Sequence, residues 1–254
     1  MRIGFIGVGK IASAITEGLC TSGLTGLEIF LSPRSEATAT MLAAKFPGVK
    51  RLGSNQEVLD RASIVIVSVR PAAAAEVLSA LRFREDHTVI SVVALLKYAD
   101  LLALAAPAGS VCRAIPLPTV VQHNCPIPLF RASGEVIRLF GHLGDPLVVQ
   151  DEGQLHAIWT LTGLITPFYE LLGQLANWTI QHGVDPAIAN VYTADLFQCL
   201  SYTAQQSVPI DYGELAGHAA TPNGMNEQAG LEIREAGAHR AWLAAADKLL
   251  LRFQ

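Results

Sequence analysis

The segment Ile64-Val65-Ile66-Val67-Ser68-Val69 is almost unbroken in apolar, β-branched residues. A strand with one face in water alternates apolar and polar residues, so a run without alternation requires cover on both faces. Such a strand belongs in the middle of a parallel sheet, with helices above and below it. The flanking chain supplies them. Strand-like runs at 2–7, 27–31, 49–52, 88–93 and 110–115 alternate with helical apolar spacing at 11–19, 35–46, 72–81 and 97–106, and Ser54 caps a further short helix. Pro71 stands where a first helical turn tolerates it. The alternation predicts right-handed strand–helix–strand crossovers and an α/β fold, a Rossmann-type doubly wound parallel sheet.

Sheets of that kind take their ligands outside the carboxyl ends of the strands. The first strand runs into Gly7-Val8-Gly9-Lys10-Ile11-Ala12, a Gly-x-Gly-x-x-Ala pattern between strand and helix. The first glycine permits a tight turn, the second lets the backbone approach a pyrophosphate, and the small Ala12 lets helix and strand pack closely. Lys10 and Ile11 open the helix, whose unpaired N–H groups and partial positive charge favour an anion. The end of the second strand distinguishes the nicotinamide cofactors. An NAD site usually carries an Asp or Glu there, whereas this chain has Leu31-Ser32-Pro33-Arg34-Ser35. Ser32, Ser35 and the planar fork of Arg34 suit a phosphate, so NADP(H) is favoured over NAD(H). Ser68, Val69, Arg70 and Pro71 close the fourth strand and are expected along the same crevice, through backbone more than side chain.

Beyond the sixth strand the pattern changes. Prolines at 116, 118, 126 and 128 keep the segment 116–130 from regular helix and predict a stretch crossing the cleft mouth. A helix at 134–143 and a last strand at 146–149 follow. Past Asp151 the spacing is helical throughout: 154–181 with a kink at Pro167, 186–206 capped by Asp185, 212–217, a Pro-Asn-Gly turn at 222–224, then 227–235 and 238–253. The 254 residues therefore divide into a dinucleotide-binding domain at 1–150 and an all-helical substrate and dimerisation domain at 151–254. Leu155, Ile158, Trp159, Leu161, Leu164 and Ile165 cover more than one helical face, which predicts a homodimer through these helices.

Composition excludes several partners. A net charge of −4 with 16% charged residues lacks the basic surplus that a nucleic acid requires. No apolar run reaches the ~20 residues of a membrane span, and the chain enters a strand at once, so no membrane contact and a cytoplasmic location are expected. Cys20, Cys112, Cys125 and Cys199 lack paired spacing and fit reduced thiols. Cys112, His123 and Cys125 lack a fourth ligand, so no metal is expected.

The order of these features resembles pyrroline-5-carboxylate reductase along nearly the whole chain. The resemblance is carried by residues 3–12, the Val69-Arg70-Pro71 step, Val89-Ile90-Ser91-Val92-Val93-Ala94, Arg113-Ala114-Ile115-Pro116, and the late Gly230-Leu231 and Glu235-Ala236-Gly237. It adds Ala94 to the expected cofactor-binding residues. It implies a cytosolic NAD(P)H-dependent reductase with interlocking helical domains, in which hydride passes to the carbon of a cyclic imine. The substrate motifs depart from that family. Its Ser-Gly-Ser-Gly-Pro turn is Gly163-Leu164-Ile165-Thr166-Pro167 here, its Ser-Pro-Gly-Gly-Thr-Thr is Thr221-Pro222-Asn223-Gly224-Met225-Asn226, and its Met-Pro-Asn-Thr-Pro is Ile115-Pro116-Leu117-Pro118-Thr119. Unmatched polar groups of a buried substrate cost ~1–3 kcal/mol each, so the substrate differs from the family's own or is held differently.

Reduction of an imine needs its C=N carbon beside the nicotinamide and a proton on nitrogen, but no strong base. Thr166, Asn223 and Asn226 are the candidates for orienting a small-molecule substrate. Asn223 is equally readable as a turn residue, and His123 and Asp195 as a loop histidine and a helix-face carboxylate. The chain has no lysine between Lys97 and Lys248, which counts against lysine-dependent 3-hydroxyacid dehydrogenases of the same two-domain plan. A second function class is an NADP(H)-binding sensor or partner subunit whose catalytic pocket has decayed.

Overall fold

A computed structural model describes every residue except Val208, Ile210 and Gln254. The first part of the chain runs β1 (Arg2–Ile6), α1 (Lys10–Thr21), β2 (Glu28–Leu31), α2 (Glu36–Lys45), β3 (Val49–Arg51), α3 (Asn55–Arg61), β4 (Ile64–Val67), α4 (Pro71–Ser79), β5 (Thr88–Ser91), α5 (Tyr98–Leu104), β6 (Ser110–Ala114), β7 (Cys125–Phe130), α6 (Gly134–Gly141) and β8 (Gly144–Val149). These eight strands form one sheet in the order β3-β2-β1-β4-β5-β6-β7-β8. Strand order reverses between β1 and β4, and the crevice at their carboxyl ends is the expected ligand position.

The continuous run at β4 is explained by its neighbours. Ile64 and Ile66 enter the core on one face of the sheet, with Ile15 and Leu19 of α1 and Leu42 of α2. Val65 and Val67 enter the core on the other face, with Val58 and Leu59 of α3, Leu78 of α4 and Leu101 of α5. All four strand residues are buried, so neither side of this strand can be polar.

The proline-rich segment is a correction to the sequence reading. Pro118–Gln122 is a short 3-10 helix, but Cys125–Phe130 is a strand within the sheet and does not run irregularly across a cleft mouth. It pairs antiparallel to β6 at two positions only, Arg113↔Phe130 and Ala114↔Leu129, and parallel to β8 along six. Ile115 N–H donates to the Pro128 carbonyl at 3.0 Å, so the even-numbered residues of β7 direct their backbone groups toward β6. The donors that Pro126 and Pro128 lack are thus missing only from the short ladder, and the long one is intact. Every other strand pair of the sheet is parallel.

The helices that follow are α7 (Glu152–Leu161), α8 (Ile165–Gln181), α9 (Pro186–Gln206), α10 (Tyr212–Ala219), α11 (Met225–Glu235) and α12 (Ala238–Leu250). The expected kink at Pro167 lies earlier, in the 3-10 turn Thr162–Leu164. Pro167 is the third residue of α8, in the first turn, where a missing N–H leaves no helical bond unmade. Asp185 caps α9 by accepting from Ala187 N–H at 2.9 Å and Ile188 N–H at 3.3 Å. The chain divides into two compact units, Met1–Ile158 and Trp159–Gln254. Among the described residues, no helix is long and apolar enough to cross a membrane.

The units differ in how they hide apolar surface. The first has a core on each face of its sheet. In the second, the buried residues among those described are only Thr160, Ala176, Ala189 and Thr193, while Tyr169, Trp178, Ile188, Val191, Tyr192 and Leu200 are exposed.

Candidate active site

The cleft at the strand reversal, about 180 Å³, is lined by Gly7, Val8, Gly9, Arg34, Ser35, Ser68, Val69, Arg70 and Ala73. The residues after β1, β2 and β4 that the sequence singles out are therefore together. Gly7 has φ +94°, and a Cβ there would stand 2.6 Å from the Ser68 carbonyl oxygen, so the turn itself demands glycine. Gly9 is different. Its φ is −87°, and no protein atom lies within 4 Å of where its Cβ would be. No packing contact demands glycine at that position, and the backbone there is open to approach. Gly9 is also the N-cap of α1 without a side-chain cap, and the first turn of that helix holds no acidic residue. These are the properties of an anion cradle.

The turn after β2 is held from below and behind. Ser32 is fully buried, and its Oγ accepts from Gly7 N–H at 2.9 Å. The expected phosphate donor is therefore a brace between two loops. Arg51, at the end of β3, donates to the Pro33 carbonyl at 3.3 Å and pairs with Glu36 at 3.3 Å. Ser35 adopts a left-handed conformation, φ 70°, and does not cap α2 with its side chain. Arg34 and Ser35 are exposed to the cleft, and no carboxylate lines it. Arg51 and Ala73 were not legible as site residues: the first acts from a neighbouring strand, and the second is one alanine in a run of four.

The remaining expected residues sit around this centre. Lys10 is exposed at the start of α1, Ile11 is half-buried against the core, and Ala12 is inside it. Pro71 opens α4. Ala94 is half-buried past the carboxyl end of β5, beside Leu95 at φ 65°. A partly buried charge network meets the start of α5, just past that loop. The Glu152 carboxylate accepts from the Tyr98 N–H at 2.6 Å and from Arg113, a fully buried residue of β6. Arg113 also meets His156 Nε2 at 2.9 Å. Burial and the Arg113 charge hold the His156 pKa below the usual histidine range, so its imidazole accepts as the neutral form.

The substrate candidates lie in the second unit. Thr166 is exposed in the first turn of α8. Asn223 takes φ 59° in the turn before α11, and its N–H donates to Glu227 at 2.8 Å. That is the geometry of the turn reading. Asn226 is inside the first turn of α11, which begins two residues earlier than the sequence spacing suggests, and its amide nitrogen donates to the Ala219 carbonyl at 3.0 Å. Met225 beside it is 87% exposed. Asp195 lines an apolar groove on α9 with Ile188, Val191, Tyr192 and Leu196. His123 is a brace between loops, its ring nitrogens against Thr21 Oγ1 at 3.1 Å and the His142 carbonyl at 2.9 Å.

Known proteins resemble this chain in sequence and fold. Residues 2–95 match the family described as NADP oxidoreductase, coenzyme F420-dependent. Over 239 residues the chain is 25% identical to the pyrroline-5-carboxylate reductase of Pseudomonas aeruginosa, with 90% of this chain and 86% of that one covered. The fold matches that of the Plasmodium falciparum pyrroline carboxylate reductase with NADP bound, at a TM-score of 0.84 and 14% identity, over 100% of this chain and 98% of the other. It also matches a reductive aminase from Aspergillus terreus in complex with NADPH4, cyclohexanone and allyl amine, at a TM-score of 0.63 and 16% identity, over 98% and 89%.

Proposed function

We propose that this chain, a divergent member of the pyrroline-5-carboxylate reductase family, is an NADPH-dependent reductase that delivers hydride to the carbon of a small imine, which need not be pyrroline-5-carboxylate. The observation that carries the reading is Gly9: a glycine with no internal need, at an uncapped helix start, in a cleft bordered by arginine and serine and free of carboxylate. The Plasmodium relative's bound NADP and the aminase's ketone and amine ligands, which together form an imine, support it.

The cofactor supplies the hydride. The protein's own part is to place it. The Gly7 turn and the start of α1 hold the pyrophosphate, Arg34 and Ser35 hold the 2′-phosphate, and the backbone of Ser68–Arg70 borders the dinucleotide. Thr166, Asn223 and Asn226 orient the substrate, with Asn226 offering the amide oxygen that its bond to Ala219 leaves available. Exposed apolar residues of α8 and α9 are covered by a second copy, giving a homodimer.

The test is a panel of cyclic imines and 2-imino and 2-oxo acids, followed by NADPH absorbance. Turnover of at least one, with kcat/KM reduced about tenfold in Asn226→Ala, is expected. NADPH binding without turnover of any compound would replace this reading with the second one, an NADP(H) sensor. The departure of residues 163–167 and 221–226 from the family's substrate motifs is what favours that alternative.

A further inference from the structure

We propose that Arg70 joins Arg34 in a two-arginine site for the 2′-phosphate of the dinucleotide, so that specificity is set from two loops and not from the β2–α2 loop alone. The inference rests on the NADPH reading above. Arg34 and Arg70 line the glycine cleft together, and both also line the adjoining cavity of about 410 Å³, whose other walls are Ala72, Ala73 and Glu76. Among the described residues, neither Arg34 nor Arg70 has an ion pair or a side-chain hydrogen bond, and the two share both spaces. Two guanidinium groups left unneutralised around one space, with methyl groups for the nearer walls, form a receptor for a compact dianion.

The local backbone fixes where Arg70 emerges. Arg70 is the N-cap of α4 with φ −64° and ψ 142°, and Pro71 at the next position holds it extended. The Arg34 loop is fixed by Ser32 and Arg51, as described above. The two arginines therefore stand on braced turns at the ends of different strands. A phosphate monoester offers three terminal oxygens, enough for a bidentate pair with one guanidinium and a further bond to the other. NADH places only ribose hydroxyls there and gains nothing from the second cation. Glu76 is the one carboxylate among the lining residues, and it opposes the bound dianion.

Calorimetric titration of the full chain with NADPH, NADH and adenosine 2′,5′-bisphosphate tests the assignment. Arg70→Ala weakens NADPH and the bisphosphate about tenfold or more and leaves NADH within about twofold, Arg70→Lys recovers part of the loss, and Glu76→Gln tightens NADPH by about twofold to threefold. Equal weakening of NADPH and NADH in Arg70→Ala, or no change in either, while the unaltered protein still prefers NADPH, would overturn the role of Arg70 alone. An unaltered protein that binds NADH as tightly as NADPH would overturn the NADPH reading itself.

Discussion

Ser32→Ala separates two roles that the sequence leaves together. If the hydroxyl served the 2′-phosphate, its loss would weaken NADPH and spare NADH. The structure places it elsewhere: Ser32 is 0% exposed and its Oγ accepts from Gly7 N–H at 2.9 Å. Alanine leaves that N–H without its acceptor. A buried donor left unmade costs about 1–3 kcal/mol, and because Gly7 is half-buried with some access to water, the lower part of that range, about 1–2 kcal/mol, applies. At about 2–4 °C per kcal/mol for a domain of this size, the thermal midpoint falls by about 2–8 °C. The Gly7 turn also loses its tie to the β2–α2 loop, so Kd rises by a similar factor, about threefold to tenfold, for NADPH and NADH alike. Scanning calorimetry and cofactor titration read both quantities on one preparation. A loss confined to NADPH with an unchanged midpoint would refute the bracing role and return Ser32 to the phosphate.

Two further outcomes follow from the same geometry. Gly7→Ala, at φ +94° and 2.6 Å from the Ser68 carbonyl, destabilises the protein by more than about 1 kcal/mol, whereas Gly9→Ala, in open space, loses only the N-cap preference for glycine, less than about 1 kcal/mol, yet weakens both cofactors about tenfold or more. Denaturation and binding measured side by side check the contrast, and an unfolded Gly9→Ala would defeat it. His87 gives a pH signature. It is buried, its Nδ1 accepts from Arg84 N–H at 3.1 Å, and its Nε2–H therefore donates to the Leu59 carbonyl at 3.2 Å. Burial, and then the Arg84 charge, lower its pKa, so the unfolded chain takes up the proton first as pH falls. Stability is flat above about pH 7 and declines below about pH 6.5; His156, shifted in the same direction, adds to the decline. Urea midpoints at about pH 7.5 and about pH 5.5 measure it. His87→Asn reduces the difference, and an undiminished one would exclude His87 as its source.

The sheet was legible because its physics is local. Ile64–Val67 excludes water from both faces by residue type alone, and each glycine or proline beside a strand marks a turn whose conformation few residues share. The strand at Cys125–Phe130 was not legible for an equally physical reason. Two prolines argue against a strand until one knows which neighbour their missing donors face, and that depends on a pairing with β6 far from any local pattern. Ser32 shows the same limit at one residue. A serine after β2 reads as a phosphate donor, and only the packing around it, which buries it against Gly7 twenty-five positions away, shows that it braces a turn instead.

The proposed substrate end is harder to read because its polar groups stand in the open and not in a buried pocket. In the cofactor half, bracing is visible: Ser32 to Gly7, Arg51 to Pro33, Glu152 to Tyr98 and Arg113. In the second unit Thr166, Asn223 and Asn226 are exposed, Asn223 and Asn226 spend a hydrogen bond on their own turn, and almost no large apolar side chain is buried. A catalytic site must be held to within a fraction of an ångström by surroundings that exclude water. Helices that leave Tyr169, Trp178, Val191 and Tyr192 in solvent do not provide this on their own, and a second copy covering α8 and α9 would. Substrate recognition and dimerisation are on this view one problem: a substitution such as Val191→Glu that keeps the chain monomeric would abolish turnover and leave NADPH binding to the first unit intact.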